Sequence, residues 1–317
     1  MIRVGVVGVG NMGRNHARVY SELKDVRLVG VADKNEQLGR EVAGKFNTAF
    51  FSDYKDLMGK VDAINVVVPT KLHYTVVRDF LENGVDVLVE KPITSGLEEA
   101  DKLIKLANAK KRILQVGHIE RFNPAMIQAR NYIKGGGIVH IEANRIGPSG
   151  ARITDAGVVL DLMIHDIDVI LSLTNSDVEG VHGYCKRIGG QYEDFASAVM
   201  KFKSGALATL TASRTTQKRE RMLRVTQKDS YVVVDFMNRV LEIHKQAKSE
   251  YLADDKGIKF VYSDVVERPQ IPQSEPLKLE LKSFIECVEE RKAPVVDGIA
   301  GRKALEVALK VLASAEK

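Results

Sequence analysis

The sequence predicts two domains of different class: an α/β domain with a doubly wound parallel sheet, then an α+β domain built on a large, mainly antiparallel, open-faced sheet. Two observations carry this prediction. Up to residue 117, short apolar runs without alternation are separated by helical segments, which is typical of parallel strands buried on both faces. Beyond residue 178, strand-like segments follow one another without helices between them, which indicates antiparallel pairing. We place the boundary so that the domains span residues 1–120 and 121–317.

The composition fits this architecture and argues against several classes of protein. Apolar residues make up 44% of the 317 residues and charged residues 28%, as in ordinary soluble domains. Cys185 and Cys287 lie far apart without a Cys-x-x-Cys pair, so we expect neither a disulfide framework nor a zinc site, and a reducing, cytoplasmic location. No segment predicts a signal peptide or a membrane span. The formal charge of +5 suits an anionic ligand and, equally, a slightly basic surface.

The first domain alternates strand and helix in strict order. Strands are expected at residues 2–7, 26–32, 61–68, 85–89 and 113–117, with helices at 14–23, 36–46, 71–83 and 97–109. In a doubly wound sheet, ligands bind beyond the carboxyl ends of the strands. The residues at those ends are therefore the candidates for a binding site.

The first strand runs into a Gly-x-Gly-x-x-Gly motif, Gly8-Val9-Gly10-Asn11-Met12-Gly13. Gly8 allows a tight turn, Gly10 a close approach of a pyrophosphate, and Gly13 tight packing of the next helix, whose N-terminal N–H groups face the anion. Asp33 follows the second strand, twenty positions after Gly13. A carboxylate there binds the ribose hydroxyls of NAD and repels the 2′-phosphate of NADP. These residues predict a Rossmann domain that binds NAD in preference to NADP.

Other strand ends carry further candidate residues. Glu90-Lys91-Pro92 ends the strand at 85–89. Lys91 would place an ammonium group where it can hydrogen-bond a substrate oxygen and stabilise alkoxide character, and Pro92 favours an extended Lys91. The alternative is an ordinary exposed lysine. The residues expected to line the cofactor site at the remaining strand ends are Pro69, Thr70, His73 and His118.

The second domain is predicted to contain one chemically unusual helix, at 158–173. Asp161, His165 and Asp168 are spaced i, i+4, i+7, which places all three on one helical face. Because the rest of this helix is apolar, an ionisable face is costly unless it lines a cleft. His165 has the chemistry of a general base near neutral pH, and Asp161 could orient it. The alternatives are a polar face in solvent and a metal site, and the lack of a further His or Cys cluster argues against metal.

The remainder of the second domain is predicted from strand patterns and two C-terminal helices. Strands are expected at 138–144, 178–188, 195–203, 206–213, 222–227, 230–236 and 240–245, and helices at 277–291 and 298–315, the last of which could pack back on the first domain. The basic stretch 214–228 is interpreted as a solvated strand edge, with a substrate phosphate or a partner subunit as alternatives. It lacks interleaved aromatic residues, so nucleic-acid binding is not expected.

Three motifs together resemble the signatures of the Gfo/Idh/MocA oxidoreductases: the glycine motif at 8–13, Glu90-Lys91-Pro92, and Asp161-x-x-x-His165-x-x-Asp168. The resemblance covers essentially the whole chain and both domains. Within the family, segments 117–124, 144–148 and 161–168 look most like the UDP-N-acetylglucosamine 3-dehydrogenase branch. Met163 stands where many members have glycine, which fits the nucleotide-sugar branch better than the branches that act on simple sugars.

The resemblance implies an NAD(P)-dependent dehydrogenase of a sugar-ring hydroxyl, in that branch the C3 hydroxyl of UDP-N-acetylglucosamine, giving the 3-keto sugar. Lys91, Asp161 and His165 would form the catalytic group and would also contact the substrate. The other residues implied on the substrate side, with a structural ion-pair group as an equal alternative, are Glu120, Arg121, Asn123 and Arg145.

Two further functions stay open at this point. One is a dehydrogenase of a free sugar or inositol, which would not need the arginines. The other is a non-catalytic NAD-binding sensor, against which the intact Lys91, Asp161 and His165 argue. Family members commonly associate through the antiparallel sheet, which implies a homodimer or homotetramer.

Overall fold

A computed structural model describes residues 1–134, 137–148, 156–254 and 257–315, with side chains described outside 246–256 and 258–264. The chain forms two units. The first comprises Met1–Phe122 and Ser274–Glu306, and the second comprises Asn123–Gln273 and the chain from Val307 onward. Both units are discontinuous in sequence, and the continuous division into 1–120 and 121–317 remains a prediction.

A six-stranded sheet forms the centre of the first unit. Its strands are β1 (Ile2–Val7), β2 (Val26–Ala32), β3 (Ala49–Phe51), β4 (Ala63–Val66), β5 (Asp86–Glu90) and β6 (Leu114–Gly117). All neighbours pair in parallel in the order β3-β2-β1-β4-β5-β6. The order reverses between β1 and β4, which is the switch point at which doubly wound sheets bind dinucleotides. The predicted Rossmann architecture is confirmed.

Most helices begin and end close to the predicted positions, but the one predicted at 158–173 is α-helical only from residue 164. The helices are α1 (Asn11–Glu22), α2 (Glu36–Lys45), α3 (His73–Glu82), α4 (Leu97–Lys110), α5 (Pro124–Ala129), α6 (Ile164–Thr174), α7 (Pro276–Glu290) and α8 (Gly298–Ala315). Near the end of the chain, α7 groups with the first unit. The reason is its apolar face: Leu277, Leu281, Phe284 and Val288 recur at helical spacing and pack into the core that contains Tyr20.

An eight-stranded sheet forms the centre of the second unit. Its strands are β7 (Ile138–Pro148), β8 (Val178–Lys186), β9 (Phe195–Phe202), β10 (Leu207–Ser213), β11 (Thr215–Gln227), β12 (Ser230–Asp235), β13 (Val240–Asp254) and β14 (Gly257–Glu267). The order is β14-β13-β12-β11-β7-β10-β9-β8, and all pairs are antiparallel except β7 with β10. The mainly antiparallel sheet is confirmed. The sequence reasoning missed β14 and most of β13, although residues 257–267 are rich in aromatic and β-branched side chains.

The position of β11 bears on the basic stretch 214–228, which the sequence analysis interprets as a solvated strand edge. Residues 222–226 pair with β12 on one side and with β7 on the other, so this part of the stretch is interior to the sheet. Lys218 and Arg219 lie outside both paired segments and are exposed. The sheet has one buried face, with Ile141, Met200 and Val225 fully enclosed, and one open face, on which large apolar side chains such as Tyr184 are exposed. The described part of the chain contains no helix capable of crossing a membrane.

Candidate functional site

The glycine loop after β1 has the geometry that a dinucleotide needs. Gly8 has a φ of +85°, and a Cβ there would lie 2.5 Å from the carbonyl oxygen of Val67. A Cβ on Gly13 would lie 1.8 Å from the oxygen of Gly8, so α1 can approach the loop only with glycine at this position. Gly10 differs, since no described atom lies within 4 Å of a Cβ built there. The backbone is thus packed at two glycines and open at the third.

The start of α1 is free to accept an anion. Gly10 is its N-cap, no described side chain caps the helix, and the first turn carries no acidic residue. Gly10, Asn11 and Met12 are exposed. Asp33 lies at the neighbouring strand end, where its carboxylate accepts hydrogen bonds from the backbone N–H groups of Val9 at 2.7 Å and Asn35 at 2.8 Å. The loop and Asp33 therefore form one hydrogen-bonded assembly that suits a dinucleotide.

A buried hydrogen-bonded chain ends on Glu90, immediately before Lys91. Tyr20 donates its hydroxyl hydrogen to Asn65 Oδ1 at 2.7 Å, and Asn65 Nδ2 donates to His16 Nδ1 at 2.7 Å. His16 Nδ1 is thus an acceptor, so its Nε2–H donates to Glu90 Oε1, at 3.2 Å. Glu90 Oε2 in turn accepts the backbone N–H of Lys91 at 3.2 Å. Burial raises the pKa of the Glu90 carboxyl, but the hydrogen bond from His16 and the charge of Lys91 hold it below its ordinary value.

His73 connects the ends of β4 and β5. Its Nδ1 lies 2.8 Å from the oxygen of Pro92 and its Nε2 lies 2.9 Å from the oxygen of Val68. The side chain is 1% exposed, and this burial lowers the pKa of the imidazole in spite of the two carbonyl oxygens. The Lys91–Pro92 peptide bond next to it is cis, and Lys91 itself is half-buried. His73 therefore lies between the two strand ends, and its contact with a cofactor stays a prediction.

The remaining strand-end candidates differ in exposure. Pro69 is exposed and precedes a 3₁₀ turn that begins at Thr70, which is half-buried. His118 follows β6 and is 1% exposed, with its backbone N–H donating to the oxygen of Val116. Contact of these three residues with a cofactor stays a prediction.

In the second unit, the helix with the ionisable side chains is not uniformly α-helical. Residues Val159–Met163 form a π turn, from which α6 continues. Asp161 lies in the π turn and His165 at the start of α6, and both are half-buried, whereas Asp168 is 2% exposed. π turns inside helices are frequently found at functional sites. Asp161 and His165 are therefore the accessible members of the predicted set.

The π turn is held by residues that the sequence reasoning did not select. Glu193 Oε1 accepts the N–H of Val159 at 3.0 Å, and a Cβ on Gly157 would collide with the Glu193 carboxylate. Arg214 Nη2 donates to Asp161 Oδ2 at 3.1 Å. Glu193 follows no motif, and Arg214 is one cation in a basic stretch, so spacing alone could not have found either residue.

Arg145 forms a buried ion pair. Its Nε and Nη2 donate to the two carboxylate oxygens of Asp166 at 2.9 and 2.8 Å, and both side chains are 3% exposed. The guanidinium also lies over the ring of Phe236, 5.6 Å from its centroid. This arrangement favours the structural alternative over a diphosphate contact for Arg145.

The other residues implied on the substrate side also have defined places. Asn123 caps α5 by accepting the N–H of Ala125, and its Nδ2 donates to the oxygen of Phe236 at 3.1 Å. Arg121 donates to the oxygen of Val295 at 3.1 Å, and Glu120 is 7% exposed. Their contact with a substrate stays a prediction. Among the described residues, no three His, Cys, Asp or Glu side chains are grouped to bind a metal ion.

The fold and the site define a class. A Rossmann sheet with an open glycine loop, an uncapped helix N-terminus and an anchored strand-end carboxylate binds a nicotinamide dinucleotide, and the second unit carries a histidine and a carboxylate on one turn. Family models agree: "Oxidoreductase family, NAD-binding Rossmann fold" matches residues 2–118, and "GFO/IDH/MocA C-terminal domain" matches residues 129–233. The chain belongs to the Gfo/Idh/MocA family of oxidoreductases.

Individual relatives extend over the whole chain. The UDP-N-acetylglucosamine 3-dehydrogenase of Acidithiobacillus ferrooxidans is 34% identical, covering 99% of this chain and 97% of the relative. A solved structure of that enzyme superposes with a TM-score of 0.90 at 33% identity, covering 99% of this chain and 98% of that chain. The scyllo-inositol 2-dehydrogenase (NAD(+)) of Bacillus subtilis is 28% identical, covering 97% of this chain and 92% of the relative.

Proposed function

We propose that this oxidoreductase oxidises a ring hydroxyl of a UDP-amino sugar. The proposed substrate is UDP-N-acetylglucosamine, and the proposed reacting group is its C3 hydroxyl. The observation that carries the proposal is the full-length similarity to a UDP-N-acetylglucosamine 3-dehydrogenase, at 33% identity and a TM-score of 0.90. The similarity covers 99% of this chain and so extends over both units.

The dinucleotide would be held by the first unit. Bound NAD supplies the hydride acceptor. The residues proposed to bind it are Gly8, Gly10, Asn11, Met12, Gly13, Asp33, Pro69, Thr70, His73, Glu90, Lys91, Pro92 and His118. Asp33 presents a carboxylate fixed by two backbone N–H groups, which favours ribose hydroxyls over a 2′-phosphate and hence NAD over NADP.

The chain's own residues would manage the proton of the reacting hydroxyl. His165 takes the proton through its imidazole as general base, a role that suits a half-buried histidine. Lys91 hydrogen-bonds the same oxygen through Nζ and stabilises its negative character. Asp161 orients the base from one turn earlier in the helix.

A second candidate, a dehydrogenase of inositol or a free sugar, has its own support. Arg145 is engaged by Asp166 and buried, so one of the two arginines expected for a diphosphate is already neutralised. A phosphate-free polyol needs no such cation, and one full-length relative is named as an inositol dehydrogenase.

A substrate panel decides between these candidates. Purified protein is mixed with NAD and UDP-N-acetylglucosamine, UDP-glucose, glucose, myo-inositol or scyllo-inositol, and the absorbance of reduced nicotinamide is followed. Turnover confined to UDP-sugars supports the proposal, and C3 oxidation is then checked by NMR of the product. Turnover confined to polyols contradicts it in favour of the second candidate. Tight NAD binding without turnover on any member supports a sensor.

The cofactor preference has a separate test. Replacing Asp33 by Ala removes the carboxylate that opposes a 2′-phosphate, so kcat/KM with NADP should rise relative to NAD by about tenfold, equivalent to about 1.4 kcal/mol. Asp53→Ala, a change of the same type at the cap of a 3₁₀ turn, serves as control. An unchanged ratio in Asp33→Ala would contradict the assignment of NAD preference to Asp33.

The open face of the second unit's sheet is proposed to bind a second copy of the chain. It exposes Tyr184, Val199, Leu207 and Tyr231 on four different strands, and the strand registers place them on the same side. Light scattering of the wild-type protein and of Val199→Glu/Leu207→Glu tests this. A homodimer or homotetramer that dissociates in the variant supports the proposal, and a monomeric wild type contradicts it.

We also propose that the protein is located in the cytoplasm.

A further inference from the structure

The residue whose position is least explained by the family motifs is Arg214. It forms a one-residue link between β10, which ends at Ser213, and β11, which begins at Thr215. Its side chain is 12% exposed although it belongs to a basic stretch whose neighbours Lys218 and Arg219 are exposed. A guanidinium withdrawn from solvent in this way requires a specific acceptor.

Two acceptors meet one nitrogen of that guanidinium. Nη2 of Arg214 donates to Asp161 Oδ2 at 3.1 Å and to the carbonyl oxygen of Ala156 at 2.9 Å. Ala156 precedes the helical segment and Asp161 lies in its π turn, so one cation connects the chain before the segment to the turn. The Asp161 side chain is 14% exposed, which reduces the screening of the ion pair by water.

The backbone of Arg214 is fixed as well. Its N–H donates to the oxygen of Asp194 at 2.9 Å. Asp194 is itself anchored, because its Oδ2 accepts the N–H groups of Ile188 and Gly189 at 2.8 and 3.2 Å. The preceding residue, Glu193, accepts the N–H groups of Val158 and Val159.

Glu193 and Asp194 thus hold two different parts of one assembly. Glu193 holds the start of the helical segment, and Asp194 holds the arginine whose side chain contacts Asp161. All of these contacts lie within the second unit. The distance in sequence between Arg214 and Asp161 is 53 residues, so the contact depends on the sheet and not on local spacing.

We infer that Arg214 is a positioning residue that fixes the Asp161 carboxylate in the rotamer used for the reaction. The inference rests on the proposed dehydrogenase function of this site. The hydrogen bond from Arg214 to Oδ2 fixes the orientation of the Asp161 carboxylate, which would otherwise rotate about its terminal bond. It acts on the reaction through Asp161 and touches no reacting atom.

A double-mutant cycle tests this. Arg214→Gln, Asp161→Asn and the double variant are compared with the wild type on whichever panel substrate the wild type oxidises. We expect Arg214→Gln to lower kcat about ten- to hundredfold, the effect of a lost charge-assisted hydrogen bond, with the Kd for NAD unchanged. Because Arg214 acts through Asp161, the double variant should be no slower than Asp161→Asn alone. The inference would be overturned if the losses in kcat of the two single variants multiplied in the double variant. It would also be overturned if Arg214→Gln kept the wild-type kcat.

Matched variants separate positioning from general damage. Arg224→Gln removes a cation from the following strand, where it pairs with Glu142 at 3.0 Å, and should leave kcat within about twofold. Arg214→Lys keeps the charge but not the planar donor geometry, so it should recover part of the loss when Asp161 is present and none in Asp161→Asn. It also replaces Arg214→Gln in the cycle if that variant does not fold. Equal rescue in both backgrounds would contradict the inference.

A substrate-free measurement keeps the inference distinct from the proposed function. Melting temperatures of the four proteins of the cycle report the contact itself. Arg214→Gln should lower Tm in the Asp161 background by more than in the Asp161→Asn background. Additive shifts in Tm overturn the contact whatever the substrate is, whereas failure of every UDP-sugar in the panel removes only the substrate proposal.

Discussion

The proposed catalytic residues of the two units are supported in different ways. Lys91, in the first unit, follows a strand whose last residue is held by the buried chain Tyr20, Asn65, His16 and Glu90, and Tyr20, Asn65 and His16 are 0% exposed. Asp161, in the second unit, lies in a π turn and is held by Arg214, which retains some exposure. The residues of the hydrogen-bonded chain lie in the core around the first sheet. The contact between Arg214 and Asp161 depends instead on the segment that ends at Asp194, whose oxygen accepts the N–H of Arg214.

This difference shows what holds the proposed catalytic side chains in place in each unit. In the first unit, the packing that stabilises the Rossmann core also fixes the strand end, so stability and positioning are coupled. In the second unit, positioning depends on the ion pair of Arg214 with Asp161 and on the contact of Glu193 with the start of the helical segment, which can be altered without opening the apolar core. Variants that break the buried hydrogen-bonded chain of the first unit should therefore affect unfolding most, and variants of the ionisable side chains around Asp161 in the second unit should affect turnover most.

The largest expected effect is on turnover. His165→Ala removes the proposed base, so kcat should fall by about 10²–10⁴-fold, with NAD affinity and unfolding close to wild type. His140→Ala is the matched control, because His140 contacts Thr209 on the sheet of the same unit and is outside the site. Steady-state kinetics and calorimetric titration with NAD provide the measurements. Unchanged turnover in His165→Ala would remove the base assignment.

On the first unit's side, the largest effect should be on stability. His16→Ala leaves Asn65 Nδ2 and Glu90 Oε1 buried without their partner, which costs about 1–3 kcal/mol in the free energy of unfolding before any cavity is counted. Urea unfolding followed by circular dichroism measures it, and Tyr20→Phe, which removes one hydroxyl from the same chain, should cost less. A His16→Ala protein as stable as wild type would contradict the coupling of core and strand end.

Variants of two glycines, one in each unit, test the assigned roles separately. Gly157→Ala places a methyl group against the Glu193 carboxylate, which must leave Val159 N, so unfolding should become easier by about 1 kcal/mol, the cost of a lost helix cap. Gly10→Ala meets no described atom within 4 Å, so stability should hold while the Kd for NAD rises about tenfold. Thermal unfolding and NAD titration of both variants should therefore give opposite patterns. The same pattern in both would refute the assigned roles.

The strands and the glycine loop of the first unit could be predicted from the sequence. Its strands are continuous apolar runs, and Gly8 and Gly13 are required by a positive φ and a close backbone contact that only glycine permits, so the sequence motif carries the geometry. The same reasoning could not find the chain that ends on Glu90. His16 and Asn65 look like ordinary residues of a helix and a strand, and their pairing depends on how α1 packs on the sheet.

The second unit was predicted less completely for a related reason. The spacing of Asp161 and His165 identified the right helix, but a π turn has no distinct sequence pattern. Its partners Glu193 and Arg214 come from connections between strands that are remote in sequence. Arg214 was grouped with the basic stretch 214–228 because charge alone does not reveal which cation is withdrawn from solvent. Contacts between residues far apart in sequence are fixed by topology, which the local pattern does not contain.

The smallest expected effect concerns the charge of Glu90. Its pKa is lowered in the folded protein by the hydrogen bond from His16 and the charge of Lys91, which outweigh burial. A lowered pKa means that the ionised carboxylate stabilises the fold above its unfolded value of about 4.3 and that this contribution is lost as the pH falls through the folded value. Glu90→Gln lacks it, so the difference in unfolding free energy between wild type and variant, about 1 kcal/mol at neutral pH, should shrink below about pH 4.

Urea unfolding of both proteins between about pH 3 and pH 7 measures this difference. Repeating the series in the His16→Ala background supplies the control, because the pKa of Glu90 then loses its principal hydrogen-bond cause and the pH dependence should weaken. A difference that grows on acidification would mean that burial dominates and that Glu90 is held protonated. In that case the strand end before Lys91 would be neutral, and the ammonium group of Lys91 would not be balanced by the Glu90 carboxylate.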